Sequence, residues 1–321
     1  MMVVEAVSLR NGSTHVALEQ TLLDSVYEKF TRGLVVEGMN ELLPGLKAQR
    51  AKCNPKDWAK AVEVCLQHPL RDLLHQDFFT KRAFAKPRGY AGDAVLLDYI
   101  YGREESWPAP ADMSEMGRMI FEYTTASAAC EGVRARRGFI AELLDRLVDD
   151  LARPHVLSIA AGHLREAALS AAVKRRKLGR FLAVDCDLTS LKEVDQCYGR
   201  FGVQTAAISI RQLLTRRQQL GLFDLVYSTG LFDYLQLPTA QRLAWLMFQM
   251  VRPGGRLLVA NFLPGIADWG YMESYMNWVL IYRTRLEMMA ISAEIPQAQI
   301  RDIRVFAEEN QNIIFLQITK Q

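Results

Sequence analysis

A lone glycine and a carboxylate farther along the chain are the first residues here that could do chemistry. Gly162 follows the small pair Ala160-Ala161, and Asp185 lies on the far side of an alanine-rich segment. A carboxylate about 20 residues beyond a glycine turn commonly accepts both ribose hydroxyls of a nucleotide. A dinucleotide would want three glycines in the turn, to leave room for a pyrophosphate. Here there is one, and Glu166 at the start of the following segment would repel phosphate. One small turn plus a carboxylate suits an adenosine ligand without phosphates, such as S-adenosylmethionine.

The elements that must position these residues read as strand, turn, helix, strand. Val156–Ile159 and Phe181–Val184 are short apolar runs of the size of buried parallel strands. Leu164–Lys177 is rich in helix formers and has basic residues in its last turns. Farther on, Leu188–Tyr198 reads as a helix and Thr205–Ile210 as a third strand. Phe223–Gly230 is a fourth strand running into a loop, Pro238 opens a helix, and Arg256–Asn261 is the fifth strand. Ile303–Phe306 and Ile313–Ile318 lie too close together for a helical crossover, so they read as an antiparallel pair at the sheet edge. Strands alternating with helices predict a doubly wound, mainly parallel α/β sheet. With that antiparallel ending it is a Rossmann-like sheet of seven strands.

No strand signal precedes residue 150. Leu18, Leu22, Val26 and Phe30 recur at helical spacing, and residues 17–67 read as helical, with Asp57–Leu66 a separate helix. Leu70–Phe78, Ala94–Tyr101 and most of Glu115–Asp149 continue the helical reading, with Trp107-Pro108-Ala109-Pro110 as a linker. The expected division is a helical cap region, 1–149, and a catalytic domain, 150–321, carrying a lid insertion at 266–293. In the cap, Lys86-Pro87-Arg88-Gly89-Tyr90-Ala91-Gly92-Asp93 is a loop dense in groups that bind. Arg134, Arg136 and Arg137 read as a solvated helix face ahead of a carboxylate clamp. In the lid, Tyr271, Tyr275, Trp278 and Tyr282 fall at i, i+4, i+7 and i+11, one face of a single helix. Such a face reads either as core or as an aromatic surface for a cation, and a sulfonium is a cation.

Composition narrows the class. Half of the 321 residues are hydrophobic and the net charge is +3, too small to argue for nucleic acid or an anionic membrane surface. The five cysteines show no paired spacing and read as free thiols of a reducing cytoplasm, with no zinc site and no other metal. No apolar run is long enough to span a bilayer. The N-terminus lacks the pattern of a signal peptide. A homodimer is left open.

Leu157–Glu166 with Asp185, the strand Phe223–Gly230 and Arg252-Pro253-Gly254-Gly255-Arg256 resemble class I S-adenosylmethionine-dependent methyltransferases. More narrowly, KPRGYAGD (86–93), AAGHLRE (160–166), GLFDYL (230–235) and the stretch 261–283 resemble bacterial 3-hydroxypalmitic acid methyl ester biosynthesis proteins, quorum-signal enzymes of secondary metabolism. Azetidine-2-carboxylate synthases, which act on S-adenosylmethionine itself, are similar in overall plan. The resemblance implies an O-methyltransferase that esterifies a fatty-acid-like carboxylate, or a cyclase that releases methylthioadenosine. It implies that Ala160, Ala161, Gly162 and Glu166 lie at the methionine part and that Asp185, beside Cys186, takes the ribose. Ser209, Ile210 and Arg211 would flank adenine, and Ser228, Thr229 and Gly230 would line the floor under the sulfonium. Arg88, Lys86 or Arg283 would hold an acceptor carboxylate. Tyr90, Asn261, Tyr271, Tyr275, Trp278 and Tyr282 would surround the reacting centre.

Overall fold

The computed structural model describes residues 20–105, 112–215 and 220–321; the Trp107–Pro110 linker lies outside them. The chain divides into two compact units, residues 1–130 with 265–279, and residues 131–264 with 280–321. All of the Ala128–Asp150 helix from Glu131 onward thus belongs with the sheet. The 266–293 segment divides after residue 279, with 266–279 in the first unit and 280–293 in the second.

In the second unit, seven strands form one sheet in the order β3-β2-β1-β4-β5-β7-β6. They are β1 His155–Ile159, β2 Arg180–Asp185, β3 Val203–Ala207, β4 Phe223–Ser228, β5 Val251–Phe262, β6 Ile300–Ala307 and β7 Ile313–Lys320. β1 to β5 pair in parallel, and β7 runs antiparallel between β5 and β6. This is the Rossmann-like sheet of the class I methyltransferase fold. On one face Leu157, Leu182, Val184, Val226, Leu257, Val259 and Leu316 pack with Leu243, Met247 and Phe248 of the Leu237–Gln249 helix. Each is essentially sealed from solvent, so each such side chain contributes about 1.5–3 kcal/mol relative to exposure.

The sequence reading is corrected at three places in this unit. The third strand stops at Ala207, because Ser209 begins a helix, Ile210–Thr215, with a reciprocal cap. Gln212 N–H donates to Ser209 Oγ at 3.3 Å, and Ser209 N–H donates to Gln212 Oε1 at 2.8 Å. The Leu164–Lys177 helix is two single turns, Glu166–Leu169 and Ala171–Lys174. Ser170 interrupts it by capping the second turn while donating to Asp145 Oδ1 at 2.6 Å. Third, the Pro253-Gly254-Gly255 turn lies inside β5 as an irregularity of its pairing with β4.

The first unit is helical. Its helices are 20–31, Val35–Lys52, Pro55–Gln67, Leu70–Leu74, Phe78–Ala85, Ala94–Glu105 and Glu115–Thr125, with Trp269–Tyr275 packed against the second and third. Pro44 sits inside Val35–Lys52 rather than ending it. The expected Leu70–Phe78 helix stops at Leu74, because buried Asp77 starts a new one. Its carboxylate accepts N–H bonds from Phe79 at 2.8 Å and Thr80 at 3.0 Å, and the Thr80 hydroxyl at 2.7 Å.

Burial pushes the Asp77 carboxyl up from 3.8 to about 6, against those hydrogen bonds. A raised folded pKa means the native state holds the proton more tightly than the unfolded chain. Its contribution is therefore complete below about pH 3.8 and is lost as pH rises through about 6. For Asp77→Asn, which keeps a cap acceptor, urea midpoints between pH 4 and 7 are expected to lose a downward slope worth about 3 kcal/mol. Asp77→Ala is expected to cost about 1 kcal/mol more through the lost cap.

Candidate active site

The strand order reverses between β1 and β4, and the crevice beyond the carboxyl ends of the strands at such a switch is where open α/β sheets hold ligands. Two loops leave the sheet there, Ala160–Leu164 after β1 and Thr229–Leu235 after β4. The first is strained. Ala160, Gly162 and Leu164 all take left-handed backbone, with φ of 54°, 54° and 50°. Left-handed backbone costs a non-glycine residue roughly 1–2 kcal/mol, so the surroundings must hold Ala160 and Leu164 in place. Ala161 N–H donates to the Val184 carbonyl at 3.1 Å, and Gly162 N–H donates to Asp185 Oδ2 at 2.8 Å. The other carboxylate oxygen of Asp185 accepts Asp187 N–H at 2.9 Å. One carboxylate thus fixes both the turn after β1 and the exit from β2. Each of its oxygens retains acceptor capacity.

Beside the turn, Tyr227 of β4 donates to Glu166 Oε1 at 2.6 Å. Burial pushes the Glu166 carboxyl up, while the Tyr227 hydrogen bond and the charges of Arg136 and Arg137 pull the other way. Burial and the Glu166 carboxyl push the Tyr227 phenol well up. Both shifts run in the same direction, toward the neutral forms of the carboxyl and the phenol. Arg136 donates to the Thr229 carbonyl, and its guanidinium lies 4.0 Å from where a Cβ on Gly230 would sit. That is ordinary van der Waals distance, so a side chain at 230 would meet the guanidinium without a clash. Arg134, Arg136 and Arg137 are all buried, which overturns their reading as a solvated face. Neither Arg136 nor Tyr227 was singled out from the sequence as a site residue. A run of arginines carries no signal of partners such as Glu166 and Thr229, which lie tens of residues away.

The rest of the loop after β4 is clamped. Asp233 accepts Phe262 N–H at 2.7 Å, and burial lifts its carboxyl to about 6 against the charges of Arg136 and Arg283. Arg283 donates to the Phe232 carbonyl at 2.6 Å, to the Leu235 carbonyl and to Asn261 Oδ1. Asn261 in turn donates to the Ile281 carbonyl at 2.7 Å. Arg283, only 3% exposed, is spent on protein oxygens, and Asn261 is part of the same clamp.

Other expected site residues fall as follows. Ala160, Ala161, Gly162, Thr229 and Gly230 are half-buried at the strand ends, as are Ser209 and Ile210, while Cys186 and Arg211 are exposed. Ser228 is fully buried, and its hydroxyl has no partner among the described residues. Arg88 and Tyr90 are half-buried in the first unit. Their loop is anchored by Asp93, which takes a bidentate pair from Arg82 at 3.1 and 2.8 Å and caps the next helix through Leu96 N–H. The expected aromatic stripe is not one helix. The Trp269–Tyr275 helix ends before Asn277, whose φ is 46°, and the next helix starts at Arg285. Tyr271 and Tyr275 are buried within the first unit, where Tyr271 shares a hydrogen bond of 2.8 Å with Thr80 and His75 bonds the Tyr275 carbonyl. Trp278, also buried there, donates its backbone N–H to Met272. Tyr282 is half-buried in the second unit. Among the described residues no cluster of three or more His, Cys, Asp or Glu could hold a metal, and no helix is long and apolar enough to cross a membrane.

No known family's sequence model matches the chain, and no curated protein matches it in sequence. Among solved structures, one described as a possible exported protein from Bordetella parapertussis is similar with a TM-score of 0.55 and 17% identity, over 70% of this chain and 79% of that one. The N-methyltransferase NodS from Bradyrhizobium japonicum WM9, in complex with S-adenosyl-L-homocysteine, gives a TM-score of 0.43 at 14% identity, over 70% and 99% of the two chains. Magnesium protoporphyrin IX methyltransferase from Synechocystis PCC 6803 gives 0.46 at 11% identity, over 71% and 98%. The first of these is a likeness of fold.

The clamp makes a direct prediction. Arg283→Met should leave two buried carbonyls and the Asn261 oxygen without a donor, lowering stability by about 3 kcal/mol or more in urea unfolding. An acceptor-binding arginine would instead be removable with little change in stability.

Proposed function

We propose that this chain is an S-adenosylmethionine-dependent methyltransferase acting on a small molecule, and more narrowly that it esterifies a carboxylate of the hydroxy fatty acid type. The observation that carries the reading is the Asp185 carboxylate, oriented by Gly162 N–H and Asp187 N–H at the crevice of the sheet.

The residues present fit this cosubstrate. Asp185 has acceptor capacity left for two ribose hydroxyls, and a charge-assisted pair of that kind is strong. The sealed Ser228 hydroxyl is a buried polar atom still wanting a partner. Ala160–Gly162 would face the methionine part, and Ser209–Arg211 the adenine. When bound, the cosubstrate supplies an electrophilic methyl group on a sulfonium. A carboxylate acceptor is already ionised near neutral pH, so this chain need supply no general base. Its work is to align oxygen with methyl carbon and to exclude water. The clamp of Asp233, Asn261 and Arg283 holds the loop after β4 for that alignment. Since Arg283 is engaged, Arg136 is the cation we assign to the acceptor side of that loop.

Calorimetric titration is expected to show S-adenosylmethionine binding that Asp185→Ala weakens by about a hundredfold, the loss of a bidentate charged acceptor; equal affinity would overturn the nucleotide assignment. Mass spectrometry of the protein with S-adenosylmethionine and 3-hydroxy fatty acids is expected to show S-adenosylhomocysteine and a methyl ester. Methylthioadenosine formed from S-adenosylmethionine alone would replace transfer by intramolecular attack of the amine, giving azetidine-2-carboxylate.

A further inference from the structure

A second concave surface in the sheet unit shares no residue with the candidate active site. It is a groove of about 1150 Å³, lined by five arginines and three aspartates. That is an excess of two positive charges, against a net charge of +3 for the whole chain. Its floor follows from strand register. Arg256, Thr319 and Asp302 lie side by side across β5, β7 and β6, and Arg304 lies beside Gln317 on the next row of the same face. One row farther, Phe306 pairs with Phe315, and Phe139 covers both with ring centroids at 5.5 and 4.8 Å.

The face therefore changes from apolar to polar along the strands. Both faces of a doubly wound sheet are normally covered, and strands so covered carry apolar side chains. Here Gln317, Thr319 and Arg256 are half-buried on a sheet floor instead, with Arg146 and Leu143 lining the wall above. Arg256 is held 3.7 Å from Asp150, and Arg304 2.8 Å from Asp302. Those carboxylates steady the two guanidiniums without neutralising the groove. The polar floor sits at the start of β5, about 17 Å of strand before Asn261.

We propose that this groove is a separate ligand site for an organic phosphate monoester. The phosphoryl dianion balances the excess of two charges and meets Arg256 and Arg304, whose planar donors suit phosphate oxygens, beside the neutral donors of Gln317 and Thr319. The organic body lies toward Leu143, Phe139 and Phe306.

The test is a fluorescence titration of the full chain with 1-naphthyl phosphate, with inorganic phosphate and 1-naphthol as separate probes. Saturable binding of naphthyl phosphate is expected, about tenfold tighter than inorganic phosphate and with no saturable binding of naphthol. The double variant Arg256→Gln/Arg304→Gln should weaken naphthyl phosphate by at least about tenfold while leaving the thermal midpoint near that of the parent, since both ion pairs are solvent-exposed. Absence of saturable binding to the parent chain, equal affinity for naphthol, or unchanged affinity in the double variant would each overturn the proposal.

Discussion

The Asp185 carboxylate accepts one backbone N–H at each oxygen, from Gly162 on the strained turn after β1 and from Asp187 after β2. That anchor acts with the Ala161 N–H bond to the Val184 carbonyl and the burial of Leu164 to hold the left-handed backbone at Ala160 and Leu164, since neither residue favours φ near +50°. The same carboxylate fixes the position of its own remaining lone pairs. One group thus sets the turn and presents acceptor capacity at the ends of the strands. The strain at Ala160 and Leu164 is of the kind that clusters where a ligand is met.

A second constraint lies across the crevice. The loop after β4 holds a single 3-10 turn, Phe232–Tyr234, and Asp233, Asn261 and Arg283 tie it to the end of β5 and to the 280–284 segment. Arg136 reaches the same loop from the Ala128–Asp150 helix. Two buried arginines thus face one buried aspartate and a set of carbonyls, which lets the charges be hydrogen-bonded rather than solvated. The Glu166–Tyr227 pair adds a carboxyl held toward its neutral form beside the turn.

The sheet was legible because parallel strands buried on both faces leave apolar runs such as Val156–Ile159 and Phe181–Val184. Asp185 was legible because its distance from Gly162 is set by the length of a βαβ unit. What could not be read has local or long-range causes. Ile208-Ser209-Ile210 continues an apolar pattern, yet the Ser209–Gln212 cap decides for helix there. The aromatic spacing from Tyr271 to Tyr282 fits one helix face, but Asn277 takes a left-handed conformation that asparagine tolerates, and the helix ends. Arg136 and Arg137 read as surface because their counter-groups, Glu166 and Asp233, are brought to them only by the tertiary fold. The partners of Arg283 are hidden for the same reason: they are two carbonyls and the Asn261 side-chain oxygen, which no sequence pattern marks.

A crystal structure of the protein with S-adenosylhomocysteine bound tests the central claim most directly. The account predicts both ribose hydroxyls on the Asp185 carboxylate at about 2.7 Å, with the Gly162 and Asp187 N–H bonds retained. A nucleoside bound with its ribose away from Asp185 would contradict it, as would a crevice that the ligand leaves empty at saturating concentration.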